Sequence, residues 1–158
     1  FLTISSPVGP LTLTQEGQAL TGLYFGKRSS QGREGSTPLL EEAARQLAEY
    51  FAGQRREFSL PLAPHGTPFQ LQVWQALQAI PYGETRSYGE IAQAIGNPRS
   101  CRAVGMANHR NPLSIVVPCH RVVGATGSLT GYGGGLEAKR FLLDLERRVL
   151  EGTRPPTR

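Results

Sequence analysis

Cys119, His120 and Arg121 stand together in IVVPCHRVV, residues 115–123, flanked by apolar and mostly β-branched residues. A run of that kind normally buries nothing polar. A thiol next to an imidazole has the makings of an activated nucleophile, because the thiolate is the reactive form and neighbouring cations favour it. Adjacent side chains on an extended strand point to opposite faces. His120 therefore reaches Cys119 through a turn at Pro118 or through a water. A histidine base generally needs a third group to orient it. The acids downstream are Glu137, Asp144, Glu146 and Glu151. Asp144 and Glu146 lie in LEAKRFLLDLERRVL, a helix whose apolar face is Ala138, Phe141, Leu142, Leu145 and Val149. Glu146 falls at the margin of that face, where spacing alone favours a solvated glutamate. Asn111 precedes Pro112 and reads as a turn residue. Cys101 reads as a small buried hydrophobe. Cys101, His109, Cys119 and His120 lack the paired spacing of a zinc site, so no metal is expected.

The elements that must hold these residues fall into two modules, residues 1–62 and 67–150, followed by a flexible tail, 151–158. In the first, FLTISS, PLTLTQ and LTGLYF alternate or run apolar between turn residues and read as antiparallel strands. TPLLEEAARQLAEYFAG reads as a helix with Pro38 at its first position and Gly53 at its stop. Leu40, Ala43, Ala44, Leu47 and Phe51 repeat at helical spacing. Nothing there suggests chemistry, and the module reads as scaffold. PLAPHGTP, residues 61–68, is the linker, with His65 a surface residue. Two capping boxes follow, Thr67 with Gln70 and Ser87 with Glu90. The first opens a helix with Phe69, Val73, Leu77 and Ile80 on one face. The second opens YGEIAQAI, which stops at Gly96. Asn97-Pro98 then starts PRSCRAVGMAN. Two short helices joined by a glycine-containing turn fit a helix-turn-helix. The fold class is α+β.

Charge narrows the partner. The chain has 158 residues and a net charge of +5. Residues 1–66 hold six basic and six acidic side chains, whereas residues 67–158 hold eleven and six. No acid occurs between Glu90 and Glu137, yet Arg99, Arg102, Arg110 and Arg121 do. That stretch favours a polyanion, foremost nucleic acid. Ser100, Ala103, Gly105 and Ala107 are small, which suits close and largely sequence-blind docking, and the minor groove would fit. No apolar run reaches the length that crosses a bilayer and no signal segment opens the chain, so no membrane partner is expected and the site of action is expected to be cytoplasmic.

PCHRVV, preceded by RAVGMANHRNP and followed by GYGGGLEAKRFLL, closely resembles the O6-alkylguanine-DNA alkyltransferases. SPVGPLTLT, LTGLYFG and VWQALQAIPYGETRSYGEIAQAIGNP carry the likeness through Phe1 to Leu150. The resemblance implies a small N-terminal domain with a ribonuclease H-like antiparallel sheet and helix. A mainly helical domain with a winged helix-turn-helix-like element would follow. It implies direct repair of double-stranded DNA containing O6-alkylguanine, less directly O4-alkylthymine, by a monomer with no cofactor. The alkylated base is flipped out of the duplex, and its alkyl group passes once and irreversibly to Cys119. His120 would be the base through a water and Glu146 would hold His120. Asn111 would brace the active-site turn, and Tyr88 would donate to the guanine ring as it leaves. Arg102 would fill the gap in the stack. Ser100, Ala103 and Gly105 would sit on the helix laid in the minor groove. Tyr132, Gly133 and Gly134 would border the base pocket, and the carbonyls of Cys119 and Val122 would read the exocyclic amine.

Departures from the family pattern are few. Gly133 stands where many members carry serine, and Cys101 where alanine is commoner. The N-terminal module has no cysteine to hold the structural zinc that some members bind. Alkyltransferase-like proteins that bind without repairing have tryptophan in place of the thiol. Two other readings stay open at this point: a DNA-binding damage sensor without catalysis, and a Cys-His hydrolase acting on a small substrate.

Overall fold

Two glycines in the left-handed region, Gly9 at φ 95° and Gly17 at φ 56°, reverse the chain between its first three strands. A computed structural model describes residues 1–27, 33–125, 127 and 135–152. Strands β1 (Leu2–Ile4), β2 (Leu11–Glu16) and β3 (Ala19–Phe25) form an antiparallel sheet with β2 in the middle. Leu11, Leu13, Leu20 and Leu23 are fully buried on it. Helix α1 (Pro38–Phe51) covers the sheet. Its N-cap, Thr37, accepts from the Leu40 amide, and Pro38 takes the first position, where a missing N–H is harmless. Leu40, Ala43, Leu47 and Phe51 are buried as their spacing predicts, but so are Gln46 and Tyr50.

The second module is helical. The module holds helices α2 (Pro68–Gln78), α3 (Tyr88–Ala94), α4 (Cys101–His109) and α5 (Leu136–Leu150) and two short strands, β4 (Arg86–Ser87) before α3 and β5 (Val122–Val123) between α4 and α5. Both predicted capping boxes are made, each with its side-chain and reciprocal backbone bond. Trp74 of α2 donates its indole N–H to the Ala107 carbonyl of α4 at 2.8 Å, which docks the two helices. Helices α3 and α4 pack as a helix-turn-helix, with Gly96 at φ 78° between them. The chain is α+β, and no helix among the described residues is long and apolar enough to cross a membrane.

Three expectations change. Helix α4 begins at Cys101, not at Pro98. The Ser100 amide and hydroxyl both donate to the Asn97 carbonyl, at 3.0 and 2.6 Å, so residues 97–100 close as a turn first. The apolar run 115–123 is extended only at Val122–Val123, because Cys119–Arg121 forms a 3-10 turn. The start of the linker is paired: Leu62 bridges Leu20 of β3. Leu113 bridges Leu23 on the same strand, so the free edge of the sheet is closed by the segment that leads to Cys119. One continuous core therefore runs from Leu11 through Trp74 and Val117 to Leu145.

Candidate active site

Two tight turns present Cys119. Ile115 sits at φ 71°, the one non-glycine residue with positive φ among those described. The Val116 amide donates across it to the Ser114 carbonyl at 2.8 Å, which makes a γ-turn of the strained hand. A β-branched residue in this region costs on the order of 1–3 kcal/mol and persists only where its surroundings over-determine it. Those surroundings are visible. Ile115 is buried. Asn111 accepts from the Leu113 amide at 3.0 Å and donates to the Val117 carbonyl at 2.9 Å, tying the loop across its width. The second turn is an inverse γ-turn at Pro118, φ −79° and ψ 63°, across which the Cys119 amide donates to Val117 at 2.7 Å. The chain then enters the 3-10 turn, so Cys119 and His120 do not alternate as strand neighbours do. Both are buried.

Glu146 is fully buried on α5, against the expectation from its spacing. Its Oε1 accepts from the Gly83 amide at 3.0 Å and Arg121 Nε at 2.8 Å. Its Oε2 accepts from Tyr50 Oη at 2.6 Å, Arg121 Nη2 at 3.0 Å and His120 Nε2 at 2.7 Å. The helical period puts residue 146 beside Leu145 and Leu142, and burial of those two draws the carboxylate in with them. Burial pushes its carboxyl up, but His120 and Arg121 together outweigh burial and hold it well below the usual carboxylate range. An ionised carboxylate only accepts hydrogen bonds. His120 therefore carries its proton on Nε2. Burial holds His120 below its ordinary value against the pull of Glu146, so the ring is neutral near pH 7 and Nδ1 is the basic nitrogen. That Nδ1 is buried, with no hydrogen-bond partner among the described residues.

Arg121 does not serve the thiol. It is buried, pairs with Glu146 and donates Nη1 to the Ile80 carbonyl at 2.8 Å. A cation that acts on Cys119 is Lys139 of α5, fully buried and donating Nζ to the Val122 carbonyl at 2.6 Å. Burial lowers the Lys139 pKa, and the charge of Cys119 works against that. The Val122 carbonyl, which the resemblance implies reads the exocyclic amine, has one lone pair taken by this lysine. The Cys119 carbonyl lies 3.5 Å from Asn108 Nδ2.

Sequence reasoning missed Tyr50, Gly83, Asn108 and Lys139. Only Gly83 had a signal, as the turn glycine of PYGETR. It stands at φ 79°, and a Cβ there would lie 2.0 Å from Leu150 Cδ1. Gly83→Ala is expected to cost about 1–2 kcal/mol, from the lost left-handed freedom, because the exposed Leu150 side chain can turn aside. A lower urea midpoint with an unchanged m-value would register it.

Tyr88 opens α3. The β4–β5 pairing, Arg86 with Val122 and Ser87 with Val123, sets the start of that helix beside the segment that follows Cys119. Gly105 faces the Tyr88 ring: a Cβ there would meet Tyr88 Cε1 at 3.7 Å. Ser100 spends its hydroxyl on the Asn97 carbonyl. The exposed face of α4 is Cys101, Arg102, Ala103, Met106, His109 and Arg110. Cys101 is thus exposed, not buried; its sulfur lies over Gly89, where a Cβ would be 3.7 Å away. With Arg99, Arg102 and Arg110 exposed and Arg121 buried, three of the four arginines of the acid-free stretch face solvent. Tyr132, Gly133, Gly134 and residues 153–158 of the tail lie outside the described residues. Among the described residues, no group of three or more histidine, cysteine, aspartate and glutamate side chains could hold a metal ion.

Known proteins match along nearly the whole chain. A family model described as 6-O-methylguanine DNA methyltransferase, ribonuclease-like domain, matches residues 2–64. A second, described as 6-O-methylguanine DNA methyltransferase, DNA binding domain, matches residues 68–148. A methylated-DNA–protein-cysteine methyltransferase of Methanosarcina acetivorans is 51% identical over 151 residues, 92% of this chain and 97% of the relative. One of Mycobacterium bovis is 54% identical, covering 93% and 92%. The crystal structure of Mycobacterium tuberculosis OGT in complex with DNA is similar at a TM-score of 0.87 and 54% identity, over 94% of this chain and 92% of that one.

Proposed function

The chain belongs to the 6-O-methylguanine DNA methyltransferase family, and from that premise we propose that Cys119 is the residue that takes the alkyl group. Chains of this family repair DNA by alkyl transfer to a cysteine of the protein, and this chain is such a methyltransferase. The observation that carries the assignment is the 2.7 Å contact of His120 Nε2 with the ionised Glu146, in the same turn as Cys119. It leaves Nδ1 as the proton acceptor one residue from the thiol. A water between them relays the proton. Lys139, buried beside Cys119, favours the thiolate by its charge.

The reaction is a displacement at a saturated carbon. The sulfur forms a bond to the alkyl carbon as the bond from that carbon to the guanine oxygen breaks. The electron pair stays with the guanine, whose ring is protonated or hydrogen-bonded by Tyr88. No tetrahedral carbonyl adduct forms, so no oxyanion hole is required. Asn111 holds the loop that aims the sulfur. The product is a thioether, which water does not readily hydrolyse, so each chain acts once. Residues 1–62 support the site and residues 67–150 carry it, and the protein acts as a monomer in the cytoplasm.

DNA docks on the exposed face of α4, through its minor groove and largely without regard to sequence. Arg102 takes the place of the flipped base in the stack. Arg102→Ala is expected to slow transfer from duplex about 10- to 100-fold, the scale of an unstacking cost of a few kcal/mol. Transfer from the free alkylated base should stay within about twofold, because nothing then has to be flipped. Equal losses on both substrates would contradict the role. Mass spectrometry of the chain after exposure to a methylated-guanine duplex tests the main assignment. The peptide with Cys119 should gain one methyl group, and a methyl found only on Cys101 or another residue would overturn it.

A further inference from the structure

The network at Glu146 takes one of its donors from outside the helical module. Tyr50 lies in the last turn of α1, in the module that its sequence marks as scaffold. It is fully buried, with its ring set against Phe51, Phe58 and Tyr82 at centroid distances of 5.4, 5.5 and 6.2 Å. Its hydroxyl lies 2.6 Å from Glu146 Oε2, the oxygen that His120 also contacts. Burial and then the charge of Glu146 push the Tyr50 hydroxyl well above its ordinary value, so it remains a neutral donor. Each donor on Oε2 withdraws negative charge from that oxygen and weakens the pull that Glu146 exerts on His120. Each also limits rotation of the carboxylate.

We propose that Tyr50 is a positioning residue for alkyl transfer, its hydroxyl setting both the orientation of Glu146 and the basicity of His120. The inference rests on Cys119 as the acceptor and His120 as its base. It makes the N-terminal module part of the reaction. The other groups facing this pair are Arg121 from the 3-10 turn, Tyr82 and the Gly83 amide from the turn after α2, and Lys139 from α5. Arg121, the Gly83 amide and Lys139 are already committed to partners, whereas the Tyr82 hydroxyl is buried without one among the described residues, so Tyr50→Phe is tested in a Tyr82→Phe background as well.

Tyr50→Phe in the full chain keeps the ring and removes the donor. Single-turnover transfer from methylated duplex should slow about tenfold, the scale of one hydrogen bond to a charged group. The His120 ring, followed by nitrogen NMR, should titrate at a higher pH than in the parent, since Glu146 then pulls harder on its proton. Incorporation of 3-fluorotyrosine, a stronger donor on the same ring, should move that titration downward. If Tyr50→Phe fails to fold, the fluorotyrosine chain decides alone. An unchanged His120 titration, with or without a slower rate, would make Tyr50 a core residue only and overturn the proposal. Transfer that persists in Cys119→Ser would instead overturn the assignment of the acceptor, so the two failures are separable.

Discussion

Cys119→Ser is expected to take no alkyl group from methylated duplex while binding that duplex within about twofold of the parent. The substitution exchanges one small buried atom for another, at a side chain that is 3% exposed, so the fold and the α4 face stay as they are. The chemistry does not survive. A hydroxyl is far less acidic than a thiol, and a neutral imidazole cannot hold enough of it ionised to displace guanine from a saturated carbon. The loss should reach at least about 10⁴-fold, the scale on which removal of a nucleophile or its base slows other covalent enzymes. Labelled methyl transfer and a fluorescence binding titration on the same preparation would separate the two effects. A variant that both binds and transfers would remove the sulfur from the mechanism. In the parent chain, a titration with excess duplex should stop at one group per protein, and clearly more than one would refute the single-use reading.

Glu146→Gln should destabilise the chain by about 3–5 kcal/mol, the cost of removing one partner from a buried ion pair. The amide cannot accept from every donor now aimed at the carboxylate, and Arg121 would be left as a buried cation without its counter-charge. The acid limb of stability should change with it. In the parent, the Glu146 pKa lies below its ordinary value of 4.5, so its stabilising effect is complete above about 4.5 and is lost as pH falls toward the folded value. His120 is also held below its ordinary 6.5, so the unfolded chain takes up that proton first and stability already begins to decline beneath 6.5. The variant should lose the steeper part below 4.5 but decline more strongly beneath 6.5, because His120 without the carboxylate charge is still harder to protonate in the folded chain. Urea melts at a series of pH values would test this. A variant with the parent's stability and the parent's acid limb would mean that the pair holds nothing together. Alkyl transfer at neutral pH should fall with stability-corrected rates as well, since the amide can present either face to the ring and no longer fixes the Nε2–H form.

The local rules of the chain were strong enough to read most of its frame. Pro38 with Thr37, the two capping boxes and the left-handed glycines act within a few residues, so α1, α2 and α3 and their starts follow from neighbours in sequence. The alternation of Leu11 and Leu13 likewise needs only the strand period, whereas Leu20 and Leu23, an odd number of residues apart, are both buried because the β2–β3 register shifts at Thr14–Gln15. The start of α4 differs from its sequence expectation because two local options compete, a proline that can open a helix and an Asn97 carbonyl that closes a turn first.

Cys119, His120, Asn111 and the motif around them could be singled out from the chain alone, because reactive side chains in an apolar run break the pattern of a core. So could the basic stretch, since charge adds up without knowledge of shape. What Arg121 pairs with, why Glu146 is buried, and that Lys139 and Tyr50 matter could not. Each of those depends on atoms far apart in the chain: Tyr50 and Glu146 are 96 residues apart, and Gly83 and Glu146 are 63 apart. Their types were uninformative, since a tyrosine in an apolar helix face and a glutamate in an arginine-rich helix are ordinary in either setting. Burial gave them their roles. In water each would be solvated and interchangeable, whereas in the core every donor must find an acceptor, and one carboxylate gathered the donors of three separate segments.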